Sequence, residues 1–115
     1  MSWVRVAPLQ QLQRDRGVAA LVGERPVAVF RLAGDEVCAI DHVEPFTHTP
    51  VLARGLIGFT GSPGNETVYV ASPLHKQRFD LRTGRCLDDP AVTVRSWPVA
   101  VIDDIVHVCA GETAA

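Results

Sequence analysis

Short runs of alternating apolar and polar residues, separated by turn residues, fill most of the chain. Trp3 and Arg5 alternate against Val4 and Val6, the period-two pattern of a strand with one buried face. Pro8 to Arg14 is predicted as one or two helical turns. Proline suits a first turn, Leu9 and Leu12 share a face, and Gly17 would end the helix. Val18 to Val22 reads as a strand, Gly23-Glu24 as a turn, and Pro26 to Leu32 as the next strand. Ala33-Gly34-Asp35 closes a hairpin into Glu36 to Ile40. Thr93 to Val99 contains Pro98 and is predicted as an edge or bulged strand. Val99 to Ile102 and Ile105 to Cys109 flank an Asp103-Asp104 hairpin turn. Strands so closely spaced predict an antiparallel all-β domain. The expected core is Phe30, Val37, Ile40, Val70, Phe79, Leu81, Val101 and Val106. The small, polar tail from Ala110 to Ala115 is expected to fray.

Two stretches break the alternation. Asp41 to Ser62 holds His42, Pro45, Thr47, His48, Thr49 and Pro50 with no sustained period. Within it Val51-Leu52 is expected to tuck inward, and Gly55 to Phe59 to form a short strand before the Gly61 to Asn65 turn cluster. The second stretch follows the strand Val68-Tyr69-Val70. Ser72-Pro73 stops that strand, because proline has no N–H for a ladder. Gln77 to Leu81 resumes it, with Phe79 and Leu81 on one face and Arg78 and Asp80 on the other. Arg82-Thr83-Gly84-Arg85 is a turn in which Gly84 supplies a positive φ.

Composition narrows the class. A chain of 115 residues that is 47% hydrophobic makes one domain, 1–115, with a core that needs no metal or disulfide. A net charge of −2 gives no electrostatic case for nucleic acid or an anionic membrane. The three cysteines, Cys38, Cys86 and Cys109, follow no framework spacing, which suits reduced thiols. No apolar run approaches the ~20 residues that span a bilayer, and no signal-peptide pattern follows Met1. The expectation is a soluble cytoplasmic domain. Each cysteine is read as a small hydrophobe, with Cys86 the one expected to be exposed.

Ser72-Pro73-Leu74-His75-Lys76-Gln77-Arg78-Phe79-Asp80-Leu81-Arg82-Thr83-Gly84 resembles the second cluster-binding loop of Rieske domains. That family reads Cys-Pro-x-His-Gly-x-x-Phe-Asp-x-x-Thr-Gly there. Its other loop reads Cys-Pro-His, and the matching place here is Glu44-Pro45-Phe46. The resemblance implies an all-β, Rieske-like antiparallel β-sandwich with two inserted loops, to which the helical pattern adds one short N-terminal helix. Rieske ligation takes two thiolates on one iron and two imidazoles on the other. At those positions this chain has Glu44, Phe46, Ser72 and His75, so His75 alone keeps its ligand type. Serine is a poor ligand for a soft iron–sulfur centre, and phenylalanine is none. A chain without a cluster is expected. Phe46 is expected to be buried between the two loops in its place.

Other chemistry is weakly signalled. His42, His48 and His75 could meet beside Glu44 as a mononuclear metal site, although loop histidines are commonly solvated and the spacing matches no ligand pattern. His107 sits in a strand, where a hydrogen-bonded structural role is the default. No nucleophile motif or phosphate loop is present. Asp88-Asp89 and Asp103-Asp104 fall at turns, where aspartate bonds locally. Lys76, Arg78, Arg82 and Arg85 concentrate positive charge around the second loop. They are read either as a solvated loop or as a docking face, with Lys76 and Arg78 pointing to solvent.

A longer set of residues resembles the small subunits of assimilatory NAD(P)H-dependent nitrite reductases. It comprises Ile40-Asp41, Pro45-Phe46, Val51 to Gly58, Ala71 to Leu74 with Lys76-Gln77, and Leu81 to Asp89. His75 departs from that family, where tyrosine is expected. The resemblance implies a non-catalytic small subunit without a cofactor of its own. Its partner would be a large subunit holding FAD, an iron–sulfur cluster and sirohaem, which reduces nitrite to ammonium in nitrate assimilation. The alternatives are a Rieske-type ferredoxin with an unusual centre and a stand-alone binding module.

Overall fold

The computed structural model describes residues 2–110. The expected fraying of the tail falls on residues 111–115, outside the described residues. Among those described, the strands in chain order are β1 Trp3–Pro8, β2 Arg16–Val22, β3 Arg25–Arg31, β4 Val37–Asp41, β5 Val43–Glu44 and β6 Thr49–Pro50. They continue as β7 Leu56–Ser62, β8 Asn65–Ala71, β9 Arg78–Asp80, β10 Ser96–Trp97, β11 Val99–Ile102 and β12 Ile105–Cys109. Every strand pairing is antiparallel.

The strands assemble into sheets of order β1-β12-β11, β10-β4-β3-β2 and β7-β8-β9, with β5-β6 as a separate pair. In the second of these, strand β3 is buried on both faces. Val27 and Val29 of β3 join Leu9, Leu12, Ala39, Trp97, Val106 and Val108 in one core. Ala28 and Phe30 of the same strand join Ile40, Leu52, Val68, Val70, Phe79 and Leu81 in the other. Alternate side chains leave a strand on opposite sides, so a central strand between two cores reads as a near-continuous apolar run. Buried Arg31 is satisfied at every turn: Nη1 donates to the Leu9 and Leu12 carbonyls at 3.2 and 2.9 Å, and Nη2 to Asp35 at 2.7 Å.

Several expectations are corrected. The N-terminal helix of Pro8 to Arg14 shrinks to a single 3-10 turn, Leu9–Gln11, because Pro8 still belongs to β1 and Leu12 is already extended. Leu9 and Leu12 are nevertheless both buried, brought together by the turn. Gly17 ends no helix. It lies in β2, where a Cβ would meet the Ala53 carbonyl oxygen at 2.5 Å and the Phe30 ring at 2.6 Å. The short strand at Gly55 runs on as β7 to Ser62, and the turn narrows to Pro63-Gly64. The strand at Thr93 to Val99 reduces to Ser96–Trp97, at the edge of its sheet. Val37 is only half-buried, and Val101 is 41% exposed because β11 is an edge strand. Cys86 is buried, not exposed. It bridges Phe79 and accepts its place in the core through the backbone bond from its N–H to Val92.

Candidate functional site

Two loops define one end of the domain. The first runs through β5 and β6, and the second joins β8 to β9. The frame of the second loop has physical reasons in its own geometry. Asp80 Oδ1 accepts from the backbone N–H groups of Arg82 and Thr83 at 2.7 and 3.2 Å. Thr83 Oγ1 accepts from Arg85 N–H at 3.2 Å. Gly84 has φ 82°, and a Cβ there would collide with the Val94 carbonyl oxygen. Phe79 is fully buried. The motif therefore builds a turn and anchors it to the core.

The four positions that match Rieske ligands divide by burial. Glu44 and Ser72, at the two thiolate positions, are 0% and 1% exposed. Phe46 and His75, at the imidazole positions, are exposed. Phe46 is thus not buried between the loops, as the sequence suggested. Its ring is 38% exposed and meets Phe79 at 6.4 Å between centroids.

Glu44 braces the first loop from within and makes no hydrogen bond to the second among the described residues. Its Oε2 accepts from both the N–H and the hydroxyl of Thr47 at 2.6 Å, and its backbone carbonyl accepts from His48 N–H at 2.7 Å. Glu44 Oε1 is buried with no partner among the described residues, as is Gln77 Oε1. Ser72 Oγ accepts from Leu74 N–H at 3.2 Å, and the Ser72 carbonyl from Lys76 N–H at 3.0 Å. Each loop is thus held within itself by carboxylate, hydroxyl and backbone groups of the chain. Lys76 takes a left-handed φ of 63°, at the place where the Rieske pattern has glycine.

This donor set does not fit a Rieske cluster. Phe46 offers no donor atom, one Glu44 oxygen is spent on Thr47, and the soft thiols lie elsewhere, buried in or beside strands. Burial and the neighbouring Glu36 push the Cys38 thiol up to about 12. The histidines do not assemble a mononuclear site either, since no group of three metal-ligating side chains occurs among the described residues. His42 is buried and its Nδ1 accepts from Ala53 N–H at 3.1 Å. Burial, then the nearby Arg54 charge, lowers its pKa. His48 and His75 face solvent. His107 Nδ1 lies 3.0 Å from the Ile105 carbonyl oxygen.

The basic residues are not equivalent. Lys76 and Arg85 are exposed and make no ion pair among the described residues. Arg78 is half-buried rather than free. Its Nη2 donates to Asp88 Oδ1 at 2.8 Å, its backbone N–H to Asp88 Oδ2 at 2.8 Å, and its guanidinium stacks over Tyr69 at 5.5 Å. Arg82 grips Glu36 through two 2.8 Å bonds. These hydrogen bonds raise both arginine pKa values and lower those of Asp88 and Glu36. Sequence reasoning missed the partners Asp88 and Glu36. Asp88 was assigned only local turn bonding, yet it reaches back ten residues to Arg78.

The sheets and paired loops are those of the Rieske class. The Rieske-like [2Fe-2S] domain family matches residues 2–109. The chain is 37% identical to the NADH nitrite reductase small subunit of Escherichia coli over 91% of its length and 94% of that protein. The solution structure of E. coli NirD superposes with a TM-score of 0.84, covering 96% of this chain and 98% of that one. A NAD(P)H nitrite reductase large subunit from Klebsiella oxytoca is 43% identical over 99 residues, of which this chain spans only 10% of the length. An anthranilate 1,2-dioxygenase ferredoxin subunit from Burkholderia cepacia is 30% identical over 95% of the chain. The chain belongs to the Rieske-like [2Fe-2S] domain family and, within it, groups with the small subunits of NADH nitrite reductase.

Proposed function

We propose that this chain is the small subunit of a cytoplasmic NAD(P)H nitrite reductase of nitrate assimilation. It has no cluster and no catalytic residues of its own, and it docks to a large subunit that holds FAD, an iron–sulfur cluster and sirohaem. The observation that carries the reading is the end-to-end similarity to the E. coli small subunit, at 37% identity over 94% of that protein. The Klebsiella large subunit contains a region similar to this chain, which supports function beside a large subunit. Phe46 and the engaged Glu44 carboxylate support the cluster-free reading. The three free, buried cysteines and the lack, among the described residues, of a helix able to cross a membrane are consistent with the cytoplasm.

The alternative, a ferredoxin-type electron carrier, has the dioxygenase ferredoxin similarity in its favour and the donor set against it. A stand-alone module has no observation of its own.

Docking through the second loop is the proposed mode, with Lys76, Arg78, Arg82 and Arg85 on that face. Arg78 and Arg82 are committed to Asp88 and Glu36, so Lys76 and Arg85 are the charges available to an acidic partner. Calorimetric titration against the large subunit is the test. Lys76→Glu with Arg85→Glu weakens binding, and less so at high salt, where exposed charges are screened. No binding of the wild-type chain to the large subunit would overturn the subunit reading. Unchanged affinity of a folded double variant at low salt would move the interface off this loop.

A further inference from the structure

The positive side chains fall into two sets. Arg14, Arg25, Arg31, Arg78 and Arg82 stand in ion pairs with carboxylates, and Arg95 stacks on Trp97 at 3.7 Å. Arg5, Arg16, Arg54, Lys76 and Arg85 make no ion pair among the described residues. A single exposed arginine is ordinarily solvated and needs no further reason. Two of the second set, Arg16 and Arg54, share one cleft of about 550 Å³.

Close backbone packing builds that cleft. The Leu52–Arg54 turn lies on β2 at Gly17, where a Cβ would meet the Ala53 carbonyl oxygen at 2.5 Å. Gly55 packs as tightly on the Ala71 carbonyl. These contacts put Arg16 of β2 and Arg54 of the turn on one lining. Asp15 is the one acid on it and pairs with neither arginine. Leu56 lines it too and is 79% exposed, more than any other large apolar side chain among the described residues. The cleft adjoins the loop end of the domain. Leu56 pairs with Ala71, the residue before Ser72 of the second loop. After burial, the Arg54 charge is the next cause of the lowered His42 pKa, which sets Arg54 beside the root of the first loop.

We propose that this cleft is a docking site for an acidic segment of the large subunit. Arg16 and Arg54 take carboxylates of that segment, and Leu56 takes an apolar side chain beside them. The inference rests on the subunit reading and carries the docking face from Lys76 and Arg85 onto the flank of the domain. Two unpaired guanidinium groups against one acid attract negative charge, and the planar arginine fork matches a carboxylate with two hydrogen bonds. Arginine beside an exposed apolar anchor is the composition that marks the centre of an interface. The chain as a whole carries −2, so an acidic partner is steered to its local cationic patches and not to the domain at large.

Calorimetric titration of the intact large subunit with the full chain, at low and high salt, tests it. Arg54→Glu weakens binding about tenfold at low salt and much less at high salt. Arg16→Glu acts in the same direction. Leu56→Asn weakens binding several-fold with its salt dependence unchanged, because an apolar contact is not screened. Arg5→Glu, which makes the same charge change outside the cleft, leaves affinity nearly unchanged. All four side chains are exposed, so each variant keeps the wild-type melting temperature, which thermal melts check. Wild-type binding that Arg16→Glu, Arg54→Glu and Leu56→Asn all leave intact overturns the cleft and spares the subunit reading. So does Arg5→Glu weakening binding as much as Arg54→Glu, which would make the effect one of net charge alone. A wild type that does not bind the large subunit overturns both.

Discussion

The ring of Phe46, in the first loop, leans on the ring of Phe79, at the exit of the second, with centroids 6.4 Å apart and planes tilted by 48°. Phe79 is fully buried and Phe46 is 38% exposed, so the contact covers the core without entering it. Phe46→Ala therefore loses one aromatic pair and part of a burial term, about 1 kcal/mol, not the ~3 kcal/mol of a core phenylalanine. Urea denaturation at neutral pH checks the size.

Glu44 braces the first loop from within. Removing its side chain leaves the Thr47 N–H and hydroxyl without their 2.6 Å acceptor. Glu44→Ala costs about 1–2 kcal/mol, the usual loss when two hydrogen bonds to one acceptor are removed. Thr47→Ala, which spares the backbone bond, costs less. Denaturation midpoints of the two variants give the order.

Lys76 occupies a left-handed conformation, with φ 63°, and its side chain is exposed. A side chain there carries a steric cost of about 1 kcal/mol that glycine avoids. Lys76→Gly is expected to raise stability by up to that amount while removing one charge from the proposed docking loop. Thermal melts and binding titrations on the same variant separate the two effects.

Asp35, Glu36 and Asp88 all have pKa values lowered by hydrogen bonds from arginine: Arg31 and Arg14 on Asp35, Arg82 on Glu36, Arg78 on Asp88. A carboxyl whose folded pKa lies below its unfolded value stabilises the fold above the unfolded value. That contribution disappears as pH falls through the folded one. Stability is expected to be flat near neutrality and to fall below about pH 4, the unfolded carboxylate range. Asp88→Asn should flatten part of that fall when urea midpoints are measured against pH. Because these pairs are largely exposed, each contributes modestly.

The strands and the frame of the second loop were legible because their signals are local. Asp80 and Thr83 each act within a few residues of themselves. Asp103-Asp104 likewise forms its turn with two positive φ values, 52° and 62°. The failures concern partners distant in sequence. Gly17 looked like a helix stop because its reason, the Ala53 carbonyl against it, lies far along the chain. Cys86 looked exposed because its bridge to Phe79 is invisible from its turn-like neighbours. Arg78 and Arg82 looked free because Asp88 and Glu36 reach them only through the folded path. At the site, the missing ligands were plain, but Phe46 meets Phe79 from the surface rather than from within, and the bracing of the first loop by Glu44 was not foreseen. An acid followed three positions later by threonine, Glu44 and Thr47, was the available sign of a side-chain-capped loop.

The two loops, each braced from within, are proposed to hold no iron–sulfur cluster. Anaerobic reconstitution of the purified chain with ferrous iron and sulfide, followed by iron and acid-labile sulfide analysis and a visible spectrum, tests it most directly. The account predicts a colourless protein with iron far below one atom per chain and stability unchanged by the treatment. Stoichiometric iron and sulfide with the broad visible absorption of a Rieske centre would contradict it.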